Sequence, residues 1–148
     1  MQLTCRPASA LDSALLAAWN FQLIRDEGHG NRMNAQELEA RMRNWLSSGS
    51  MRGVIFERDS QPSGYAVFGI EPDGTVNLRH FFISRDHRRQ GIGTAAMKLL
   101  VEAVLPRGAR VTVVVLAHNE AGWKFWESCD FKNYAHILER RTGGDAKR

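Results

Sequence analysis

The stretch that decides the fold is Ser84-Arg85-Asp86-His87-Arg88-Arg89-Gln90-Gly91-Ile92-Gly93-Thr94, which joins an extended segment to a predicted helix. The first turn of a helix exposes unpaired backbone N–H groups and the positive end of the helix dipole. Glycine at positions 91 and 93 lets the main chain approach an anion without a Cβ contact. Arg88 and Arg89 add positive charge beside these groups. The pattern predicts a loop that binds a phosphate-bearing ligand.

Two common phosphate-binding loops fit this stretch poorly. A Walker loop ends in Gly-Lys-Ser/Thr, and no such sequence follows Gly93. A dinucleotide-binding fingerprint reads G-x-G-x-x-G/A, and Ala96 satisfies its last position. That fingerprint opens a βαβ unit, however, whereas three antiparallel strands are predicted ahead of this loop, so the context argues against it.

Ahead of the loop, the chain is predicted to form one strand and two helices. The strand covers Leu3–Arg6. Each helix opens with a capping-box pair, Ser9 with Asp12 and Asn34 with Glu37. Each also carries an apolar stripe on one face, formed by Leu11, Leu15, Trp19 and Leu23 in the first helix and by Leu38, Met42, Trp45 and Leu46 in the second.

Three extended segments follow, Val54–Phe56, Tyr65–Ile70 and Val76–Ile83. The turns between them are short, and short turns join antiparallel neighbours, so these segments predict an antiparallel meander.

After the loop we expect a helix, a strand, a short helix and a last strand. The β-branched segment Arg110–Ala117 is typical of a central strand that is buried on both faces. Asn119 begins a short helix that ends near Cys129, and Phe131–Glu139 is expected to return as a strand. The order of elements predicts an α/β fold (an α+β mixed sheet).

The composition is typical of one globular domain, with 43% hydrophobic and 24% charged residues in 148. We expect a single domain over residues 1–141 and a flexible tail over 142–148. No run approaches the roughly 18 apolar residues of a membrane helix, so no membrane partner is expected. Two cysteines are too few for a disulfide framework, and the N-terminus lacks a secretory pattern, which predicts a cytoplasmic location.

Charge and metal-ligand spacing limit the possible partners further. The net charge of +4 attracts anionic ligands and is compatible with a nucleic-acid-binding module. No nucleic-acid-binding motif accompanies the basic residues, which concentrate at the glycine loop and the tail, so we expect no nucleic-acid partner. The two cysteines and the five scattered histidines show no metal-ligand spacing, so we also expect no metal.

At this point the sequence resembles a known family. Arg88–Gly93 is similar to the R/Q-x-x-G-x-G/A motif of the GNAT superfamily of acyl-CoA-dependent N-acyltransferases. A second motif of that family, N-x-x-A-x-x-L-Y-x-x-x-G-F, is matched in spacing by Asn119, Gly122, Phe125, Trp126, Asp130 and Phe131. Gly64-Tyr65 resembles the family's Gly-Tyr pair, and the order of elements agrees over residues 2–140. The resemblance implies the GNAT fold, with about six to seven strands and four helices.

The resemblance also implies acetyl-CoA as cosubstrate, with no metal. In the family the fourth strand bulges and separates from the fifth, and pantetheine lies in the opening while backbone amides hold the pyrophosphate. Asn119 would bind the pantetheine arm, cap its helix, or do both. The cofactor-binding residues implied in this way are Phe82, Ile83, Arg88, Arg89, Gln90, Gly91, Ile92, Gly93, Thr94, Asn119 and Trp126.

The catalytic pattern departs from the family. Trp126 stands where the family has its general-acid tyrosine, and because an indole N–H cannot deliver a proton at neutral pH, we expect Trp126 to be a pocket wall. Asn77 stands near the position of the family's carboxylate base. His80 is therefore the candidate general base, and its alternative is a histidine packed on the sheet.

The acceptor pocket of the family lies near the end of the first helix, where Asp26 and Glu27 would suit a cationic amine. Their alternative is a solvated helix end. The resemblance implies an N-acetyltransferase that moves an acetyl group to a primary amine on a small molecule or peptide by direct attack. The alternative is a non-catalytic acetyl-CoA-binding regulator. A homodimer formed through edge strands is a further expectation.

Overall fold

Four α-helices and five strands form the part of the chain that the computed structural model describes, residues 2–28, 30–88 and 90–143. Their order along the chain is β1 (Leu3–Pro7), α1 (Ser13–Glu27), α2 (Ala35–Ser48), β2 (Arg52–Arg58), β3 (Gln61–Ile70), β4 (Val76–Ile83), α3 (Ile92–Leu99), β5 (Val111–Val113) and α4 (Glu120–Ser128). Arg89 and residues 144–148 of the expected tail lie outside the described residues. None of the described helices is long and apolar enough to cross a lipid bilayer.

The five strands form one mixed sheet in the order β1-β2-β3-β4-β5. As the predicted meander requires, β2, β3 and β4 pair antiparallel. Strand β1 also pairs antiparallel with β2, and β5 joins β4 in parallel. Apolar side chains cover both faces of this sheet. Leu16 of α1 and Met42 of α2 pack with Tyr65 on one face, and Ala96 of α3 and Trp126 of α4 pack on the other. The predicted α/β class is confirmed.

Local signals set the starts of the first two helices as the sequence predicts. The side chains of Ser9 and Asp12 form a capping box ahead of α1, and Asn34 and Glu37 form another ahead of α2. The predicted stripe of α2 is also confirmed, because Leu38 and Met42 are buried and Trp45 and Leu46 pack against the sheet.

The stripe predicted for α1 is wrong at its beginning. Leu11 is 96% exposed, whereas Leu16 and Ala17 are buried. Residues four apart advance about 400° around a helix, so a stripe with that spacing drifts about 40° at each step and leaves the buried face. Asn20 takes a buried place on α1, and its side-chain amide has no hydrogen-bond partner among the described residues.

The predicted six to seven strands are too many. Phe131–Glu139 is not a strand, and its side chains are mostly exposed, with Leu138 at 91%. The strand expected over Arg110–Ala117 is reduced to Val111–Val113, which is half-buried at the edge of the sheet instead of central. Because β5 pairs with β4 over only three residues, it offers little edge on which Phe131–Glu139 could pair.

The short pairing of β5 leaves a gap in the sheet. The last β4–β5 pair joins Leu78 to Val113, and Arg79–Ile83 continue along β3 without a β5 partner. A β-bulge at Arg79 lies at the same point, because Val67 and Phe68 of β3 face His80 and Leu78. We call the space beside Arg79–Ile83 the β4–β5 gap.

On its other side, β4 is held very close to β3. A Cβ added to Gly64 would lie 2.2 Å from the Phe82 carbonyl oxygen, so the pairing of these strands requires glycine.

Candidate active site

The glycine loop ends at an uncapped helix N-terminus. Gly91 is the N-cap of α3 and has φ 74° and ψ 7°, a left-handed conformation that favours glycine. No side chain caps this helix, and the Gly91 carbonyl accepts the first helical bond from the Ala95 N–H at 3.1 Å. A Cβ on Gly91 would meet nothing within 4 Å, so the space in front of the helix is open. This terminus therefore fits a phosphate group.

The other residues of the loop have different functions. A Cβ on Gly93 would lie 3.2 Å from Phe125, so this glycine lets α3 pack closely against α4. Ile92 belongs to the core, whereas the Thr94 side chain is exposed. The Gln90 side chain accepts a hydrogen bond from the Arg58 guanidinium of β2. The open space in front of α3 therefore adjoins the backbone of its first turn.

Arg88 connects the end of β4 to the end of α1. Its Nε donates to the Ile83 carbonyl at 2.7 Å, and its Nη2 lies 2.7 Å from Oδ2 of Asp26. Arg85 donates to Oδ1 of the same carboxylate at 3.0 Å. The guanidinium that the sequence predicts to contact phosphate is thus paired with a carboxylate.

The same contacts change the prediction for Asp26. Burial alone would raise the pKa of Asp26, but hydrogen bonds from Arg88, Arg85 and Gln22 outweigh it and hold that pKa below its usual value. Asp26 therefore stays ionised, and two arginines balance the charge of the carboxylate that was expected to attract a cationic amine.

Asp26 and Glu27 nevertheless share one cavity of about 540 Å³ with Asn119. The cavity separates the end of α1 from the loop after β5, where Nε2 of His118 lies 2.9 Å from the Glu27 carbonyl oxygen. Burial raises the pKa of Glu27, and the charge of Asp26 raises it further. Asn119 caps α4, because its Oδ1 accepts from the Gly122 N–H at 3.0 Å. Its predicted ligand contact stays a prediction.

His80 lies on the sheet face that α1 and α2 cover. It is 8% exposed, and its Nδ1 lies 3.0 Å from the hydroxyl of Tyr65, which is fully buried. Burial raises the pKa of Tyr65 well above 10, so the phenol keeps its proton. The ring of Trp45 meets the His80 ring edge-on at 5.6 Å. His80 is thus a packed and hydrogen-bonded histidine, and its catalytic function stays a prediction.

Trp126 lies on the other face of the sheet. It is 8% exposed and packs edge-on against Phe81, Phe125 and Phe131. Phe81 belongs to the part of β4 that borders the gap, and the aromatic cluster forms a wall beneath it. The two residues predicted for catalysis, His80 and Trp126, are therefore not brought together.

Sequence reasoning missed the surroundings of His80. Tyr65 is its hydrogen-bond partner. The guanidinium groups of Arg41 and Arg79 lie over the ring of Trp45. One signal was present, because Arg41 and Trp45 are four residues apart and share a helix face. Nothing local connects that face to Arg79 of β4.

Comparisons with known proteins agree with this fold. Residues 18–131 match the model of the acetyltransferase (GNAT) family. No curated protein matches the chain. Among solved structures, a predicted acetyltransferase with acetyl-CoA from Clostridium acetobutylicum is 18% identical, with a TM-score of 0.72 over 95% of this chain and 96% of that chain.

Two further structures are similar. A ribosomal-protein-alanine N-acetyltransferase from Brucella melitensis is 16% identical, with a TM-score of 0.70 over 95% of this chain and 100% of that one. An aminoglycoside N-acetyltransferase in complex with CoA is 13% identical, with a TM-score of 0.75 over 95% of both chains. At these identities the structures show a common fold. Because the family model covers most of the sequence as well, the chain belongs to the acetyltransferase (GNAT) family.

Proposed function

We propose that this protein binds acetyl-CoA and transfers its acetyl group to a primary amine. The observation that carries the proposal is the coincidence of the β4–β5 gap with the uncapped N-terminus of α3. The gap begins after Leu78 and leads toward Ile83, and the glycine loop follows directly on the chain. An elongated ligand that ends in phosphate would use both features.

Each part of the site has a distinct task in this proposal. The backbone N–H groups of Ile92–Thr94 bind the pyrophosphate, since an uncapped helix terminus favours negative charge. Main-chain groups of β4 that face the gap bind the amide groups of pantetheine as a neighbouring strand would. Trp126 and Phe81 bound the gap on one face. Arg88 is a positioning residue, because its contacts with Ile83 and Asp26 hold the loop that leads to the N-terminus of α3.

Bound acetyl-CoA would supply a thioester carbonyl that a neutral amine attacks directly. The new N–C bond forms as the C–S bond breaks, and the CoA sulfur leaves with the electron pair. A main-chain N–H at the bulge of β4 would stabilise the negative charge on the carbonyl oxygen. A thiol pKa of about 8.5 makes the thiolate a sufficient leaving group, so Trp126 need not supply a proton. His80 is the proposed acceptor of the proton that the amine loses.

A non-catalytic acetyl-CoA-binding regulator is the second candidate. The indole at position 126 favours it, because the described residues place no tyrosine hydroxyl beside Trp126. Tyr65 is buried on the other face of the sheet, and Tyr134 is exposed and packs against Arg110. Such a regulator would bind acetyl-CoA and release no thiol with any amine.

Calorimetry with two matched glycine variants tests acetyl-CoA binding. Gly91→Ala adds a Cβ in front of α3, and Gly108→Ala adds one at nearly the same backbone conformation, φ 76° against 74°. Both substitutions are strained by about 1–2 kcal/mol, so both lower stability similarly. We expect only Gly91→Ala to weaken acetyl-CoA binding, by about tenfold or more.

Equal acetyl-CoA affinity in the two variants would contradict the pyrophosphate site. Release of CoA thiol with a panel of primary amines then separates the enzyme from the regulator, since the regulator binds acetyl-CoA without turnover.

A further inference from the structure

Two arginines lie over one indole ring beside the β4–β5 gap. The Cζ of Arg41 is 4.5 Å from the centroid of the Trp45 ring, and the Cζ of Arg79 is 5.1 Å from it. Arg41 comes from α2 and Arg79 from β4, so the tertiary fold brings together two positive charges that are far apart in sequence. We call these two residues the arginine pair.

The arginine pair has no counter-ion within residues 2–28, 30–88 and 90–143. The ion pairs found there within 4 Å belong to other arginines, Arg6, Arg43, Arg85 and Arg88. Burial and the charge of Arg79 both lower the pKa of Arg41, and the Tyr65 phenol that faces it is protonated. The two arginines thus repel each other, and Arg41 is half-buried whereas Arg79 is exposed.

The unbalanced charge on the half-buried Arg41 is costly. Partly desolvated cations are normally paired, because loss of water without a partner raises their free energy. The Trp45 ring offsets part of that cost through its π-face. A bound anion would remove the repulsion and supply the missing hydrogen-bond acceptors. The guanidinium fork matches the two oxygens of a carboxylate or phosphonate particularly well.

The position of the pair relates it to the gap. Arg79 is the bulge residue of β4 and the first residue after the last β4–β5 pair. Its neighbour His80 meets the same Trp45 ring edge-on at 5.6 Å. The pair therefore stands at the closed end of the gap, on the sheet face covered by α1 and α2.

We propose that Arg41 and Arg79 form an oxyanion site for the acceptor, whose class is a primary amine that also carries a carboxylate or phosphonate group. This inference rests on the proposed function, because only an acetyltransferase has an acceptor to orient at the closed end of the gap. The pair holds the anionic group of the acceptor and leaves its amine directed toward the thioester. Asp26, which the sequence predicted to attract the acceptor's amine, is paired with Arg85 and Arg88, and this agrees with recognition of the acceptor through its anionic group.

Kinetics with matched acceptors tests the site. We would compare 4-aminobutanoate with its neutral amide, 4-aminobutanamide, and with 3-aminopropylphosphonate. The wild-type protein should prefer the anionic acceptors in kcat/KM by about tenfold or more, the change that a charge-assisted hydrogen bond produces. Arg79→Gln and Arg41→Gln should each abolish this preference by raising KM for the anionic acceptors. The ratio of kcat/KM for 4-aminobutanoate and 3-aminopropylphosphonate shows whether the guanidinium groups prefer a carboxylate or a phosphonate.

A charge-matched control distinguishes the site from general electrostatics. Arg43 is exposed on the same helix and is paired with Glu39, so Arg43→Gln removes one charge without touching the pair. It should keep the wild-type preference. A wild-type preference for the amide, or an unchanged preference in folded Arg79→Gln, would overturn the proposal.

Failure of the proposed function gives a different result. Calorimetry with acetyl-CoA alone tests that function, and the affinity should be equal in wild-type and Arg41→Gln proteins. Calorimetry with 4-aminobutanoate alone tests the arginine pair without turnover. Saturable binding to the wild type that Arg79→Gln abolishes and Arg43→Gln retains would support the site even without activity. Absence of both binding and anion preference would refute it.

Discussion

Replacing Tyr65 by phenylalanine removes a hydroxyl that is fully buried and lies 3.0 Å from Nδ1 of His80. Phenylalanine keeps the ring, so no cavity forms, and the loss is limited to the hydrogen bond. A buried polar group that loses its hydrogen-bond partner costs about 1–3 kcal/mol. For a chain of this size each kcal/mol lowers the melting temperature by about 2–4 °C, so we expect a decrease of about 2–12 °C at pH 7.

The same variant changes how stability responds to alkali. Burial raises the pKa of Tyr65 in the folded state above its unfolded value near 10. Between these two values the unfolded chain loses the proton while the folded chain keeps it. The contribution of Tyr65 to the free energy of unfolding is therefore complete below pH 10. Above pH 10 it decreases by up to about 1.4 kcal/mol per pH unit. Tyr65→Phe should remove this part of the slope.

Urea unfolding at several pH values from 7 to 11 measures both effects. The chain has two tyrosines, so Tyr134→Phe is a natural control. Tyr134 is 79% exposed and packs against the guanidinium of Arg110, so its loss should cost less than about 1 kcal/mol. If Tyr65→Phe were as stable as the wild type at pH 7 and kept the full slope above pH 10, the buried hydrogen bond and the reasoning built on it would be wrong.

Three further perturbations follow from the contacts. Gly64→Ala should destabilise the fold by about 1–3 kcal/mol or more in urea unfolding, because its Cβ would lie 2.2 Å from the Phe82 carbonyl oxygen. Asp26→Asn should lower stability by about 0.2–1 kcal/mol for each ion pair lost, Arg88 included, in low salt above pH 4. Because the pKa of Asp26 is lowered in the folded protein, this difference should shrink as the pH falls below 4 and through that pKa, and a difference that did not shrink on acidification would contradict the pairing. Asn34→Ala should cost about 0.5–2 kcal/mol in thermal unfolding through loss of the capping box.

Local features of the fold could be predicted from the sequence because the residues that cause them are close in the chain. The capping boxes join residues three apart, such as Asn34 and Glu37. The glycine loop and the helix that it opens are likewise one continuous stretch. Asp130, which replaces a glycine of the family motif, adopts φ 70°, a conformation that Asp tolerates better than most residues.

Features that depend on distant parts of the chain could not be predicted. The pairing of β5 with β4 ends at Leu78, next to the bulge at Arg79, and both features depend on strands far apart in the chain. The partner of Arg88 is Asp26, which is 62 residues earlier in the chain. The sequence of the glycine loop gives no indication that Arg88 pairs with this carboxylate. The arginine pair could not be predicted either, because Trp45, whose ring both arginines contact, belongs to a helix far from β4 in the chain.

The β4–β5 gap has a consequence for the behaviour of the protein in concentrated solution. Alternate residues of Arg79–Ile83 direct main-chain groups toward the gap, and Val114, just after β5, is 69% exposed. An unpaired edge beside apolar surface is the feature that lets strands of different molecules join and precipitate. A ligand that occupies this edge would shield it. We therefore expect saturation with acetyl-CoA to delay aggregation and to raise the melting temperature.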